Sequence, residues 1–551
     1  MHQARLLLIT AVSCTAATVT YANPSSATHA HHAKIAQVGK EKPMLQLTQV
    51  NRTENRYVYQ VEAQAGHYYR GQLRSNVPLS RAYIRLGNNP TKSLLQPGQN
   101  EADIYWYPQE DGKAQFIIYT KGQQSNADIE INLNEMPLKA NQKISPKHDI
   151  QSPILFDTLT ALSNGDKQAI TRFWQHVEKN GTPLIEPLKN HRSLITFLWR
   201  GTEENNVGLL GAPYESHAYL THLQGTDIWY KSYEVSNTTR LSYRLAPNVP
   251  QLSGQHAMEQ HRAIIATTQT DPLNSNSTYH ELVDPWGDAS TVVLDKADLA
   301  TETQSQGNVP RGRVERYNFM SQGLDQQRTI DIYHPVPSSK LTSDAPLLFL
   351  FDGLEYQDKI PVPTILDNLI AQGEIPPMRA VFIHHNSMNQ RMKELPPNQA
   401  FTHFVAQELI PWLCEQQQLC PKAENRILAG SSFGGLAALS IAHEHPELFG
   451  NVLSQSGSFW WGPNPESLEW LSQKITQKPH PQIKVYLDAG QFETTPPPRS
   501  ILHANQRLYS LLQRKGYNVA FSTLPGGHDF YSWRAAFAHG LTHLVSHSQY
   551  Q

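Results

Sequence analysis

The run Gly430-Ser431-Ser432-Phe433-Gly434 sets a serine among small residues. The strand-like Arg426-Ile427-Leu428-Ala429 precedes it, and the helix-forming Gly435-Leu436-Ala437-Ala438-Leu439 follows. Strand, sharp turn and helix in that order are the context of a nucleophile elbow. The turn lifts the serine Oγ above a sheet and aims the next backbone N–H, that of Phe433, where an oxyanion would develop. A serine hydroxyl attacks a carbonyl only with a base beside it. In this type of fold the serine is followed along the chain by an acid and then a histidine. His528 follows a strand on the glycine-rich loop Pro525-Gly526-Gly527-His528-Asp529, which can carry it to the sheet top. The acid is expected after the strand Val485–Leu487, where Asp488 and Glu493 are both candidates. Asp488 continues the strand. Glu493 lies in the loop beyond Gly490, from which a carboxylate reaches His528 and holds its tautomer, so Glu493 is preferred. A second oxyanion donor is expected after the strand Leu347–Phe351, at the N–H of Leu354.

Two other chemistries fail on spacing. No Lys-Ser or Lys-Thr follows the glycine run, so it is not a phosphate loop. His443-Glu444-His445 does not put both imidazoles on one helical face, and Pro446 ends that helix, so it is not a zinc-hydrolase motif.

The elements that must hold these residues begin near Arg313. From there strand-like and helix-like segments alternate, through Leu347-Leu348-Phe349-Leu350-Phe351, Ala380–Ile383, a helix Phe401–Cys414 and the last strand Val519–Leu524. This rhythm predicts an α/β-hydrolase domain over 306–551, with a mostly parallel sheet covered on both faces. Two β-rich regions precede it. Residues 45–138 contain short alternating strands such as Tyr57–Val61 and Ile129–Leu133, which predict a β-sandwich. Residues 150–305 open with helical spacing over 153–190 and continue into an immunoglobulin-like β-module over 193–245. A polar segment, 246–305, joins it to the hydrolase region.

The chain has 551 residues, 39% apolar and 17% charged, enough for two to four domains of ordinary globular composition. Lys plus Arg is 46 against 48 for Asp plus Glu, which argues against a nucleic-acid partner but leaves room for a basic pocket. Arg5, the apolar run Leu6–Val19 and Thr20-Tyr21-Ala22 read as a secretory signal over 1–22. A leader over 23–44 follows; its His29, His31 and His32 read as part of a solvated tail. No later run of about 18 apolar residues predicts a membrane span. Of three cysteines, Cys14 falls in the signal, where Ala11-Val12-Ser13 makes a poor lipidation context. Cys414 and Cys420 are close enough in sequence to form a disulfide in an oxidising periplasm.

Several motifs together resemble the enterochelin esterase family. They are Ala429–Leu439, the run Phe449 to Trp461 with Ser454-Gln455-Ser456-Gly457-Ser458-Phe459-Trp460-Trp461, Gly526–Asp529, and Trp533-Arg534. Arg391 with Glu394-Leu395, and Ala504-Asn505-Gln506 with Leu508-Tyr509, belong to the same set, as do Trp199-Arg200, Gly225–Trp229 and Asp271–Asn274 earlier in the chain. The resemblance covers about residues 165–545. It implies a serine esterase that opens the ester bonds of ferric enterobactin or a related catecholate siderophore and releases dihydroxybenzoylserine units. It places the same roles on Ser432, His528 and Glu493. It implies no cofactor and no catalytic metal; iron arrives only with the substrate. The signal segment and the added domain at 45–138 depart from the family pattern and imply a periplasmic member. A bulky aromatic trianion calls for cations and flat apolar surfaces. Arg391, Trp460, Trp461, Trp533 and Arg534 are the candidates by loop position. The alternatives are a carbohydrate esterase acting on acetyl or feruloyl groups of xylan, and a ferric-siderophore binder without turnover.

Overall fold

The computed structural model describes residues 47–545, apart from 54, 88–90, 96, 109, 123–126, 137, 139–149, 215–216, 253–256, 279–287, 337–340 and 496–497. The expected signal and leader, with Cys14, lie outside the described residues.

In the strand Leu347–Leu350 every residue is buried, so both faces of its sheet must be covered. It is the third of eight strands in chain order: β1 (Arg313–Ser321), β2 (Gln326–His334), β3 (Leu347–Leu350), β4 (Arg379–Ile383), β5 (Arg426–Ser431), β6 (Asn451–Gln455), β7 (Lys484–Gly490) and β8 (Val519–Leu524). Their order across the sheet is β1-β2-β4-β3-β5-β6-β7-β8. β1, β2 and β4 pair antiparallel, and the strands from β4 to β8 are parallel. Parallel neighbours need crossover connections, and helices supply them on both faces. Side chains of β3 alternate between the two resulting cores. Phe349 packs with Phe404, Leu436 and Leu508, whereas Leu348 and Leu350 pack with Tyr356, Leu366 and Phe537.

The helix expected at Phe401–Cys414 is interrupted. An α-helical turn, Gln399–His403, passes into a π-helical stretch, Phe404–Leu409, and back to α-helix at Ile410–Gln416. Pro411 is the physical reason, because it lacks the N–H that a regular α-helical ladder needs there. Cys414 and Cys420 are joined by a disulfide just beyond.

Ahead of this domain, helices Pro153–Ser163 and Ala169–Asn180 stack together. The helical expectation over 153–190 fails beyond them. Gly181, at φ 78, ends the second helix, Pro183 follows, and Leu184–Leu188 is an edge strand. It belongs to a sheet with Arg192–Arg200, Ile228–Ser236 and Thr221–His222. A second sheet contains His217–Tyr219, Val207–Leu210, Arg240–Pro247 and Ser290–Val293. Phe197, Leu209, Trp229 and Leu245 fill the space between them. The segment 246–305 is therefore more than a joining piece. It supplies Ser290–Val293 to that sheet, and the helix Ala257–Thr267. Its polar residues escaped periodicity because they are buried by pairing: Asp271 accepts from Thr182 Oγ1 at 2.7 Å and Tyr243 OH at 2.6 Å.

Residues 48–136 form a five-stranded and a three-stranded antiparallel sheet closed over Leu73, Ile84, Trp106 and Phe116. Tyr68 and Tyr107 carry this sandwich onto Leu252, Ala263 and Ala266, and Lys92 Nζ donates to the carbonyl of Ala266 at 2.8 Å.

Candidate active site

Three loops meet at the carboxyl edge of the parallel strands. β5 leads into Ser432, β7 into Glu493 and β8 into His528. Ser432 sits between β5 and the helix Phe433–Glu444 with φ 58 and ψ −120, a strained backbone for a residue with a Cβ. Such a conformation costs on the order of 1–3 kcal/mol and persists only when its surroundings enforce it. Here they do. A Cβ on Gly430 would stand 2.6 Å from the Gly434 carbonyl carbon, and one on Gly435 would stand 2.4 Å from Ser454 Oγ. Ser432 N–H donates to the Gln455 carbonyl at 2.9 Å, and Ser458 N–H donates to the Ser432 carbonyl at 3.0 Å. The Ser432 hydroxyl lies 3.3 Å from the Ser458 hydroxyl. Among the described residues, no hydrogen bond joins it to His528.

His528 Nδ1 is hydrogen-bonded to Glu493 Oε1. The other carboxylate oxygen of Glu493 accepts from Ser456 Oγ at 2.7 Å and from the Gly490 N–H. Asp488 does not reach His528. It is fully enclosed, accepts from Gln455 Nε2 at 3.3 Å and Ser456 N–H at 3.2 Å, and burial pushes its carboxyl up to about 8.

The β-module next to the hydrolase domain holds these loops. Phe492, adjacent to Glu493, belongs to the module's own core and meets the Tyr214 ring edge-on at 4.9 Å. Ser242 Oγ donates to Asp529 Oδ1 at 3.0 Å, and Arg240 N–H donates to the Pro525 carbonyl at 3.0 Å. Both flanks of His528 are thus tied to a separate domain.

Phe433 and Leu354 each occupy the first turn of a helix, where backbone N–H groups have no acceptor within the helix. Beside Leu354, buried Asp352 takes a bidentate pair of hydrogen bonds from Arg391, at 2.7 and 2.6 Å, and lies 3.4 Å from His385. Burial opposes its ionisation, yet Arg391 and His385 hold the carboxyl well below the usual range. Arg391 is therefore engaged inside the structure rather than offered to a ligand. Asp352, Glu355 and His385 bring ligand atoms within 4.8 Å of one another, but Arg391 already neutralises Asp352 where a cation would sit. Replacing Asp352 with Asn is expected to destabilise the fold by about 3–5 kcal/mol, because it leaves the Arg391 charge buried without its partner. Asp352 has a depressed pKa in the folded state. Its contribution is present above the ordinary aspartate pKa and fades as pH falls below about 4. Thermal melts from pH 3 to 7 on both proteins check this: the gap between their midpoints must be constant above about pH 5 and begin to narrow below about pH 4.

A cleft of about 500 Å³ opens between the β-module and the hydrolase domain, with His528 and Glu493 in its wall. Arg244 and His217 reach it from the module, and Lys359, Arg534 and Tyr531 from the hydrolase side. Lys359 Nζ lies 4.8 Å above the Phe530 ring, and Arg534 Cζ lies 5.4 Å above Tyr531. Burial lowers the Lys359 pKa; Glu355 opposes that and Arg244 adds to it. Arg534 also donates to the carbonyls of Lys359 and Thr278, at 2.7 and 3.1 Å. Trp460 and Trp461 are half-buried, beside Phe433 and Trp470 respectively, and do not line this cleft. Trp533 is 3% exposed and edge-on to His528 at 4.9 Å, so its ring is not open to a ligand. Sequence reasoning missed Arg244 and Lys359, because nothing in their flanking residues marks them; they meet only when two domains dock. Ser456 lies within the run Ser454–Trp461, where the sequence pattern alone assigns it no role.

An elbow serine, a carboxylate-held histidine and helix-start N–H groups on this sheet define a class, the carboxylic ester hydrolases of α/β-hydrolase architecture. The esterase family model matches residues 321–544, and the model described as enterochelin esterase, N-terminal, matches 194–303. These two matches, in this order along the chain, make it similar to the enterochelin esterases. It is 29% identical to the iron(III) enterobactin esterase of Dickeya dadantii over 68% of this chain and 92% of that one. It is 27% identical to the iron(III) enterobactin esterase of Escherichia coli K12, over 70% and 98% respectively. A solved Shigella flexneri enterobactin esterase, determined in the presence of enterobactin, matches 68% of this chain and 98% of its own at 26% identity, with a TM-score of 0.55. The sandwich at 48–136 lies outside both family matches.

Proposed function

We propose that this protein is a serine esterase that hydrolyses the ester bonds of ferric enterobactin-like catecholate siderophores and releases dihydroxybenzoylserine units. The observation that carries the mechanism is the pairing of His528 Nδ1 with Glu493, beside a serine on a strained elbow. With Nδ1–H given to Glu493, Nε2 is free to take the Ser432 proton as Oγ attacks the ester carbonyl. Phe433 and Leu354 N–H groups receive the developing oxyanion. His528 then protonates the leaving serine hydroxyl, and water repeats the sequence on the acyl-enzyme. The Ser432–Ser458 contact is a resting arrangement that substrate displaces; such contacts commonly tighten only in the complex. The residues supply every proton transfer, so the reaction calls for no cofactor, and iron enters with the substrate.

The substrate reading is supported by the relatives and by the cations and rings of the cleft. A tris-catecholate iron complex is a trianion with aromatic faces, and such a ligand suits guanidinium and ammonium groups set over rings. Arg244→Gln is expected to raise KM for the ferric siderophore about tenfold with kcat within about twofold, since a charge that touches bound substrate and transition state alike affects binding only. Steady-state kinetics at two ionic strengths check this; the wild-type advantage shrinks in salt.

We place its action in the periplasm, on the reading of residues 1–22 as a signal. The Cys414–Cys420 disulfide suits an oxidising compartment, and no helix among the described residues is long and apolar enough to cross a membrane. The deciding test incubates the protein with ferric and iron-free enterobactin and resolves the products by mass. Linear trimer, dimer or monomer is the expected result. Intact macrocycle with aryl-ester turnover retained would move the substrate to acylated sugars. Binding without any ester turnover would leave a siderophore binder.

A further inference from the structure

Beyond β6 the chain turns through Ser456, which is fully buried and left-handed at φ 47. Only glycine adopts that conformation without steric cost. Its N–H is held by the Asp488 carbonyl at 2.9 Å and the Asp488 carboxyl at 3.2 Å. This turn sends the side chain toward Glu493. Ser456 Oγ lies 2.7 Å from Glu493 Oε2 and 2.8 Å from the Trp533 indole nitrogen.

The indole N–H can only donate, and a serine hydroxyl has a single proton. Trp533 therefore occupies a lone pair of Ser456 Oγ, and the serine proton is directed to Glu493. Glu493 Oε2 is then saturated by Ser456 and the Gly490 N–H, which leaves Oε1 for His528. We infer that Ser456, oriented by Trp533, is a positioning residue that clamps one oxygen of Glu493 so that the other faces His528 Nδ1. Neither side chain is given contact with substrate. The assignment rests on the esterase reading. It also gives Asp488 a structural part, anchoring the backbone of Ser456.

The test uses Ser456→Gly, Trp533→Phe and the double variant in the full chain, beside Ser432→Ala. Glycine suits φ 47, so Ser456→Gly removes the hydroxyl while relieving the backbone. A hydrogen bond to a charged group has a typical strength that translates into a rate loss of about ten- to a hundredfold. Ser456→Gly is expected to lower kcat by that factor on a neutral aryl ester and on ferric enterobactin, with KM unchanged. The acid limb of kcat/KM should move to lower pH, because a loosened Glu493 stabilises protonated His528 less. Trp533→Phe keeps the ring and removes the donor; it should shift the limb in the same direction with a smaller loss. The double variant should be no worse than Ser456→Gly alone, because Trp533 acts through the serine. An unchanged limb and kcat in Ser456→Gly, or strictly additive losses in the double variant, would overturn the inference. Should Ser456→Gly fail to fold, the limb of Trp533→Phe decides. Full activity in Ser432→Ala would instead sink the esterase reading itself.

Discussion

Replacing Ser432 with alanine is expected to lower kcat on a neutral aryl ester and on ferric enterobactin by about 10⁵-fold while leaving binding of the ferric siderophore intact. The magnitude follows from covalent catalysis: without Oγ only the oxyanion donors and substrate positioning still accelerate attack by water. Removal of Cβ-linked oxygen does not disturb the elbow, since the glycines at 430, 434 and 435 that permit the turn remain, and so does the Ser432 N–H bond to Gln455. Burst kinetics with the aryl ester should show an acyl-enzyme in the wild type and none in the variant. Siderophore affinity measured by tryptophan quenching should agree within about twofold. A variant that keeps a tenth or more of the wild-type rate would remove Ser432 as the nucleophile.

The second large effect separates the two acids after β7. Glu493→Gln should lower kcat about 10³- to 10⁴-fold, because an amide presents its NH₂ as readily as its oxygen and no longer holds the Nδ1–H tautomer or stabilises the imidazolium. Asp488→Asn should stay within about threefold of wild type at pH 7. Burial raises Asp488 to about 8, so its carboxyl is already neutral there, and Asn has the same shape. The raised pKa also predicts a stability effect of defined sign. A carboxyl that is harder to ionise folded than unfolded favours the fold fully below about pH 4; the advantage declines as pH rises toward about 8. Asp488→Asn should remove that decline, so its melting midpoint should gain on the wild type between pH 5 and 8. If Asp488→Asn is the dead variant and Glu493→Gln the active one, the acid assignment is reversed.

The docking of the β-module gives these effects a shared structural basis. Phe492 is packed in the module and Asp529 is bound by Ser242, so the loops carrying Glu493 and His528 are fixed from outside the hydrolase core. A site 1 Å out of place loses much of its rate. On the proposed reading the module holds these loops in position, and it sets Arg244 in the wall of the cleft.

Much of the hydrolase domain was legible because its signals are local. A serine set among Gly430, Ser431 and Gly434, after an apolar strand and before a helix, points to one backbone solution, and Ser432 takes it at φ 58. The buried run at Leu347–Leu350 required a sheet covered on both faces by virtue of its composition alone. The preference for Glu493 over Asp488 came from alternation and loop reach: a residue continuing a strand points into the sheet's surroundings, and one beyond Gly490 does not. The unread features depend on contacts between distant segments. Arg391 looked like a ligand-binding cation until Asp352 was found beside it, 39 positions earlier in the chain. Trp533 looked like a platform for a catechol, but helix Phe530–Val545 turns it inward onto Ser456. Arg244 and Lys359 converge only because a separate sandwich docks against the sheet's edge. The chemistry was determined by the order of residue types along the chain, because backbone geometry at a turn is a local property. Which charges line the cleft, and which are consumed in holding the site together, was decided by tertiary packing, because a charge's partner is set by proximity in space.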